Sequence, residues 1–219
     1  MNSNNKVNSD QYIPSYYLVP DKKSWLAKRI EGIGASEIDA VLGLHKYTKM
    51  EQILDRKLGI KELFSKESIN RMNQGTIREE EIINLYRDLT GLKVESLTLK
   101  DKIYYNPESP FLFASLDGIV TREDGSQYII DAKLSNARFW NDNDAGYYYG
   151  QAQQQMYVMG LDYHEFAVLS PNIENPGPKD LKIIPVSRSE DFIKTMIEMG
   201  REFWDLVESS RNDKLNVSF

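Results

Sequence analysis

The 219-residue chain contains no cysteine. That removes disulfides and thiolate-bound metals from the chemistry open to it, and it fits a reducing compartment. Only two histidines are present, His45 and His164, too far apart in sequence for a convincing histidine-based metal centre. Packing or surface hydrogen bonding is the expectation for each. No apolar run approaches membrane-spanning length, so a membrane protein is not expected. Positive charge is also short: 27 Lys and Arg against 33 Asp and Glu give a net charge of -6. That sign argues against broad electrostatic coating of nucleic acid, while leaving room for a locally basic channel.

Residues 1–11 are rich in Asn and Ser, hold almost nothing to bury, and read as a disordered tail with no secretory signal. The remainder, 12–219, has the length for one sizeable core. With 41% hydrophobic and 27% charged residues in the whole chain, a single soluble domain is expected.

Segments 24–30, 35–42 and 48–58 read as short helices, the last opened by a capping box of Thr48 and Glu51. A longer helical pattern over 68–90 is closed by Gly91 as a C-cap. Strands are expected at 94–99, 103–105, 111–120 and 127–134, with Asp124-Gly125 as the hairpin signal between the last two. A helix over 147–159, strands at 165–169 and 181–186, and a proline-rich loop over 171–178 follow. A final helix over 189–207 puts Phe192, Met196, Met199 and Phe203 on one core-facing stripe.

Chemistry concentrates in Ser115-Leu116-Asp117-Gly118 and Asp131-Ala132-Lys133. Residues two apart on a strand share a face, so Ser115 goes with Asp117 and Asp131 with Lys133. Ile130, Ala132 and Leu134 supply an apolar face for helices, leaving a polar cleft opposite. The hairpin brings Asp117 near Asp131. Two carboxylates there suit a hard cation such as magnesium, which takes oxygen ligands and keeps waters and phosphate oxygens in its shell. Lys133 could orient or deprotonate the attacking water, or offset charge building on a phosphate. The alternative is an ordinary surface ion pair between Asp131 and Lys133.

Among Glu79, Glu80 and Glu81, Glu79 lies in line with Ile82, Ile83 and Tyr86 on the buried side of its helix, and Glu80 with Asn84 and Arg87 on the wet side. A carboxylate pressed toward the core needs a cation or donors, either a metal or a buried ion pair. Gln151, Gln153, Gln154 and Gln155 read as an exposed helix face. The aromatics Tyr147-Tyr148-Tyr149 and Phe139-Trp140 either stack on bases or pack; packing is expected for Tyr148, and both readings stay open for Trp140, since the Asn141-Asp142-Asn143-Asp144 loop beside it points to exposure.

Taken in order, Gly75-x-x-x-Glu79, Ser115-x-Asp117-Gly118, Asp131-x-Lys133 and Tyr148-Tyr149-x-Gln151-x-Gln153 resemble the PD-(D/E)XK nucleases. Within them the set looks most like the lambda exonuclease and YqaJ-type viral recombinases. Gly32-Ile33-Gly34-Ala35-Ser36-Glu37-Ile38 is similar to that family's opening motif, so the likeness runs over 29–160. Two positions depart from the pattern: Asp131 stands where many relatives carry glutamate, and Glu80 where they often carry proline.

The resemblance implies an α/β (α+β) fold, with a central mixed β-sheet flanked by helices, a restriction-endonuclease-like core and a helical N-terminal region. It implies that Glu79, Asp117 and Asp131 are the acidic metal-site positions, that the main-chain carbonyl of Ala132 completes the coordination, that Lys133 is the catalytic lysine, and that Gln151 is the glutamine of the following helix. Arg29, Ser36 and Ser115 correspond to positions that receive the 5′-phosphate of the degraded strand. Ser36 has support of its own, because a helix start offers free N–H groups and a favourable dipole to an anion. With Asp39 it also reads as a capping-box variant; the alternative is that Ser36 only caps and Arg29 is a surface charge.

The implied activity is a Mg2+-dependent deoxyribonuclease, with Mn2+ able to substitute. It would resect linear double-stranded DNA ends 5′ to 3′ and leave single strands for recombination. An intracellular location, a trimeric ring of identical chains and a single-strand annealing partner are expected on the same basis. A structure-specific endonuclease of this fold, or a non-catalytic DNA-binding protein, is the alternative.

Overall fold

Two β-sheets, rather than one, organise the described residues. The computed structural model describes residues 12–60, 66–99, 101–135 and 145–217. In chain order the elements are β1 (Ser15–Leu18), α1 (Lys22–Arg29), β2 (Ile33–Gly34), α2 (Ala35–Val41), α3 (Met50–Lys57), α4 (Lys66–Thr90), β3 (Lys93–Ser96), β4 (Lys102–Asn106), β5 (Ser109–Ala114), β6 (Gly118–Thr121), β7 (Gln127–Leu134), α5 (Tyr149–Met159), β8 (Tyr163–Leu169), β9 (Lys182–Ser187) and α6 (Glu190–Val217). One sheet runs β1-β4-β5-β2 and the other β3-β6-β7-β8-β9. Both are mixed, since β2 lies parallel to β5 and β7 parallel to β8, with the other pairs antiparallel. The expected mixed α/β class holds.

The expected strand over 111–120 is broken, and the break makes the site. β5 ends at Ala114 and β6 begins at Gly118, so 115–117 cross from one sheet to the other instead of alternating along a single face. The β6–β7 ladder stops at Gly118 opposite Ile130. Beyond it, the amide of Ala132 donates to Asp117 Oδ2 at 2.9 Å, so the carboxylate continues the ladder as a strand would have done. Gly118 suits this close approach: a Cβ would lie 3.0 Å from the Glu95 carbonyl oxygen and from Ile130 Cγ2, a tight contact that the neighbours would have to yield to.

β7 is covered on both sides. Ile130 and Ala132 pack with Ile82, Ile83 and Tyr86 of α4, as the alternation predicts. Ile129 on the other face packs with Ala152 and Met156 of α5. The expected polar cleft is present on that face as a cavity lined by Asp131 and Lys133, but α5 roofs it, and Asp131 is only 3% exposed.

The glutamine run is corrected with it, because Gln151, Gln153, Gln154 and Gln155 are all buried. Each side-chain amide nitrogen donates to a partner, while Gln154 Oε1 has none among the described residues. Gln154 Nε2 donates to the carbonyls of Ile33 (2.8 Å) and Phe113 (2.9 Å), tying α5 to the first sheet. Gln153 bonds the Ser187 carbonyl and the Ser189 amide at the start of α6.

Helix starts differ from the expected caps. α3 begins at Met50, and Gln52 rather than Glu51 folds back, accepting the Lys49 amide at 2.8 Å. α2 begins after Gly34, whose amide donates to Glu37, so neither Ser36 nor Asp39 is its cap. Gly91 closes α4 at φ 69°, as expected. The Asp124-Gly125 hairpin forms with a loop over 122–126 and Gly125 at φ 82°. β3 stops at Ser96, α6 runs on to Val217, and Met199 falls off the buried stripe that Met196 and Phe203 continue. β1 and β2 were not anticipated. The expected tail over 1–11 and the Trp140 loop lie outside the described residues. Among those described, no helix is long and apolar enough to cross a membrane.

Candidate active site

A cavity of about 160 Å³ opens where the two sheets, α2, α4 and α5 meet. Its lining includes all nine residues singled out in the sequence: Arg29, Ser36, Glu79, Ser115, Asp117, Asp131, Ala132, Lys133 and Gln151. It also includes Trp25 and Gln155, which sequence reasoning missed.

Asp131 is the hub. The Lys133 ammonium lies 2.5 Å from its Oδ2, and Gln151 Nε2 donates to the same oxygen at 3.1 Å. Gln155 Nε2 donates to Oδ1 at 3.2 Å and to the Ser115 carbonyl at 3.3 Å. Lys133 also donates to Gln151 Oε1 at 3.2 Å, so the lysine and both glutamines are interlocked. Behind Gln155, the fully buried His164 meets Gln155 Oε1 through Nε2 at 2.8 Å. A glutamine oxygen only accepts, so His164 carries its proton on Nε2 and turns the Gln155 amine toward Asp131. The signal for Gln155 was its spacing of one helical turn from Gln151; nothing in the sequence marked His164.

Burial alone would raise the Asp131 carboxyl, but the Lys133 ammonium and the neighbouring polar groups outweigh it and hold Asp131 below the usual range. Burial alone would lower Lys133, and the Asp131 and Asp117 carboxylates reverse that, leaving it above its ordinary value. The lysine is thus a fixed ammonium, suited to offset negative charge. Desolvation pushes His164 down to about 4, so it is neutral.

α5 is aimed by Asp39, whose two carboxylate oxygens accept the Gly150 and Gln151 amides at 2.8 and 2.9 Å. Its second-turn place in α2 thus serves α5 instead. Burial pushes this carboxyl up to about 6 against the pull of those two donors.

The other wall is a set of donors. Arg29 Nη2 donates to Ser36 Oγ at 3.0 Å, and its guanidinium stacks on Trp25 at 4.6 Å. Trp25 Nε1 donates to Ser115 Oγ at 3.1 Å. Glu80 turns to solvent as expected, bonded to Ser96, Thr98 and Arg87, while Glu79 turns to the cavity. Tyr148 packs against the core near Phe166, with the Lys133 ammonium 5.1 Å from its ring.

Glu79, Asp117, Asp131 and the carbonyl of Ala132 are a donor set of hard oxygens, and among the described residues neither sulfur nor imidazole lines the cavity. The Ala132 N–H points at Asp117, and a strand residue's carbonyl shares the side of its amide. These groups fit a magnesium-like ion in kind. As the side chains stand, no three acidic or histidine side chains among the described residues close around one point. The Lys133 ammonium is instead the cation at Asp131.

The fold is that of solved alkaline exonucleases. The structure superposes on the alkaline exonuclease LHK-Exo of Laribacter hongkongensis with a TM-score of 0.70, covering 90% of this chain and 98% of that one at 18% identity. The same enzyme in complex with dAMP gives 0.69 at 19% identity, with the same coverage. A phage related exonuclease from Haemophilus somnus 129PT gives 0.59, covering 82% and 96% at 16% identity. Within that fold, residues 24–162 match the YqaJ-like viral recombinase domain, and the chain belongs to that family. Protein YqaJ of Bacillus subtilis (strain 168) is 26% identical over an alignment of 191 positions that covers 84% of this chain and 56% of YqaJ. The chain thus spans little more than half the length of that curated relative.

Proposed function

We propose that the chain is a divalent-metal-dependent deoxyribonuclease that hydrolyses linear duplex DNA from 5′-phosphorylated ends, working 5′ to 3′, with Mg2+ as the ion and Mn2+ as a substitute. The observation that carries this reading is the sharing of one cavity by the acids, the lysine and the Arg29–Ser36–Ser115 donors.

Glu79, Asp117, Asp131 and the Ala132 carbonyl would hold the ion. When bound, it supplies a water of lowered pKa and stabilises charge on phosphoryl oxygens. Lys133 holds its proton and neutralises charge that builds on the phosphate as the bond to the leaving oxygen breaks. Gln151, bonded to both Lys133 and Asp131, keeps that ammonium in place. Arg29, with Ser36, Ser115 and the Trp25 N–H, offers donors to a terminal phosphate, and an anchored end fixes which phosphodiester faces the acids. Asp39 orients α5, hence Gln151 and Gln155. The dAMP held by LHK-Exo is a mononucleotide of the kind such a reaction on DNA releases. A trimeric ring and a single-strand annealing partner belong to the same proposal; light scattering on the purified protein tests the first.

The deciding experiment is digestion of end-labelled linear duplexes, with and without 5′-phosphate, beside closed circular DNA in Mg2+. Linear phosphorylated DNA should be degraded fastest and closed circles should survive. Equal attack on closed circles would replace the exonuclease reading by an endonuclease, and no hydrolysis in Mg2+ or Mn2+ would end the nuclease reading.

A further inference from the structure

Beside the cavity lies an ion pair that the proposed chemistry leaves unused. Glu37 on α2 and Lys57, the last residue of α3, are buried at 6% and 2% exposure. Lys57 Nζ lies 2.6 Å from Glu37 Oε2 and donates to the main-chain carbonyl of Arg29 at 2.8 Å. Glu37 Oε1 lies 3.4 Å from Arg29 Nη2, while Oε2 accepts the Gly34 amide at 2.8 Å. Gly34 leaves room for this: a Cβ there would stand 2.8 Å from Arg29 Nη2. The Arg211 guanidinium clamps the same corner, donating to the Ile30 and Lys57 carbonyls.

The charges run plus, minus, plus. Buried ion pairs are poor sources of stability, so stability alone is a weak reason for this one. Its position gives another. Glu37 alone would cancel the Arg29 guanidinium, and an arriving phosphate would meet a neutral site. Lys57 cancels Glu37, so the triad presents one net positive charge to the cavity. We propose that Lys57 is a positioning residue for DNA-end recognition, acting through Glu37 to keep Arg29 electrostatically free and through the Arg29 carbonyl to hold its backbone. This rests on the reading of Arg29, Ser36 and Ser115 as receivers of a 5′-phosphate.

Charge logic orders a variant series. Lys57→Met leaves the triad with no net charge, wild type and the Glu37→Gln/Lys57→Met double variant carry one positive charge, and Glu37→Gln alone carries two. The readout is the KM for a linear duplex with a 5′-phosphate divided by the KM for the same duplex with a 5′-hydroxyl, in Mg2+ at fixed salt. One buried charge near the phosphate should move that ratio about tenfold. Lys57→Met should raise the ratio, Glu37→Gln should lower it, and the double variant should return it to the wild-type value. A packing role would weaken both substrates together and would not be rescued by the second substitution. If Lys57→Met fails to fold, Glu37→Gln still tests the sign. A wild-type enzyme indifferent to the 5′-phosphate would overturn the pocket reading and this proposal together. A wild-type preference left unchanged by Lys57→Met, or lost equally in the double variant, would overturn the role of Lys57 alone.

Discussion

Replacing Lys133 by alanine removes the cation that Asp131 holds in the metal-free protein. Breaking a buried ion pair by deleting one partner costs about 3–5 kcal/mol, because a buried charge is stranded. Here the ammonium is half-buried and Asp131 retains donors from Gln151 and Gln155, which brings the expected loss to about 2–3 kcal/mol. In a chain of this size that is a fall in Tm of about 5–10 °C. The lysine is held above its ordinary value, so this contribution is complete below pH 10.5 and is lost only as the pH rises through the higher folded value. A divalent ion at Asp131 replaces the missing countercharge, so Mg2+ should raise the Tm of Lys133→Ala more than that of wild type. DNA hydrolysis should meanwhile fall at least about 100-fold, as expected when a stabiliser of developing charge is removed. Calorimetry in EDTA and in Mg2+, with single-turnover hydrolysis alongside, reads all three. An unchanged Tm in EDTA would refute the buried pair, and unimpaired hydrolysis would refute the role given to Lys133.

Gln155→Leu leaves Asp131 Oδ1 and the His164 Nε2 proton without their amide; it should weaken metal binding or hydrolysis about 10–100-fold, read by Mn2+ titration, with no change counting against it. His164 is held near 4 in the folded protein against 6.5 when free, so its stabilising contribution is complete above pH 6.5 and is lost as the pH falls toward 4. The loss amounts to about 3 kcal/mol. His164→Gln, which can still donate to Gln155, should therefore move acid unfolding to lower pH, and an unmoved midpoint would contradict this. Asp39→Ala frees two amides at the start of α5 and should cost about 1–2 kcal/mol in urea unfolding, with hydrolysis reduced through Gln151. An unaltered midpoint would show that α5 needs no such cap.

The alternation Ile130-Asp131-Ala132-Lys133 was readable because a strand's period is two, and it put the acid and the lysine together on the right face. Glu79 and Glu80 separated correctly for the analogous helical reason. Asp117 was found as a residue but misplaced as structure. Its strand breaks between two sheets, and the tie that holds it, to the Ala132 amide, is a tertiary contact no local pattern encodes. The glutamine run was misread because polarity was taken for exposure, whereas each of these amides meets a partner inside the protein. The pairing of Glu37 with Lys57 is not legible because the chain between them carries no periodic signal joining the two, and β1 and β2 are not because four and two residues give too little pattern.

The proposed nuclease needs one divalent ion among Glu79, Asp117, Asp131 and the Ala132 carbonyl. Crystals grown with Mn2+ and measured at its absorption edge test it directly. An anomalous peak is expected at about 2.0–2.3 Å from carboxylate oxygens of Asp117 and Asp131, with Lys133 displaced from Asp131 Oδ2. Saturating Mn2+ with no peak in this cavity, and Lys133 still paired with Asp131, would contradict it.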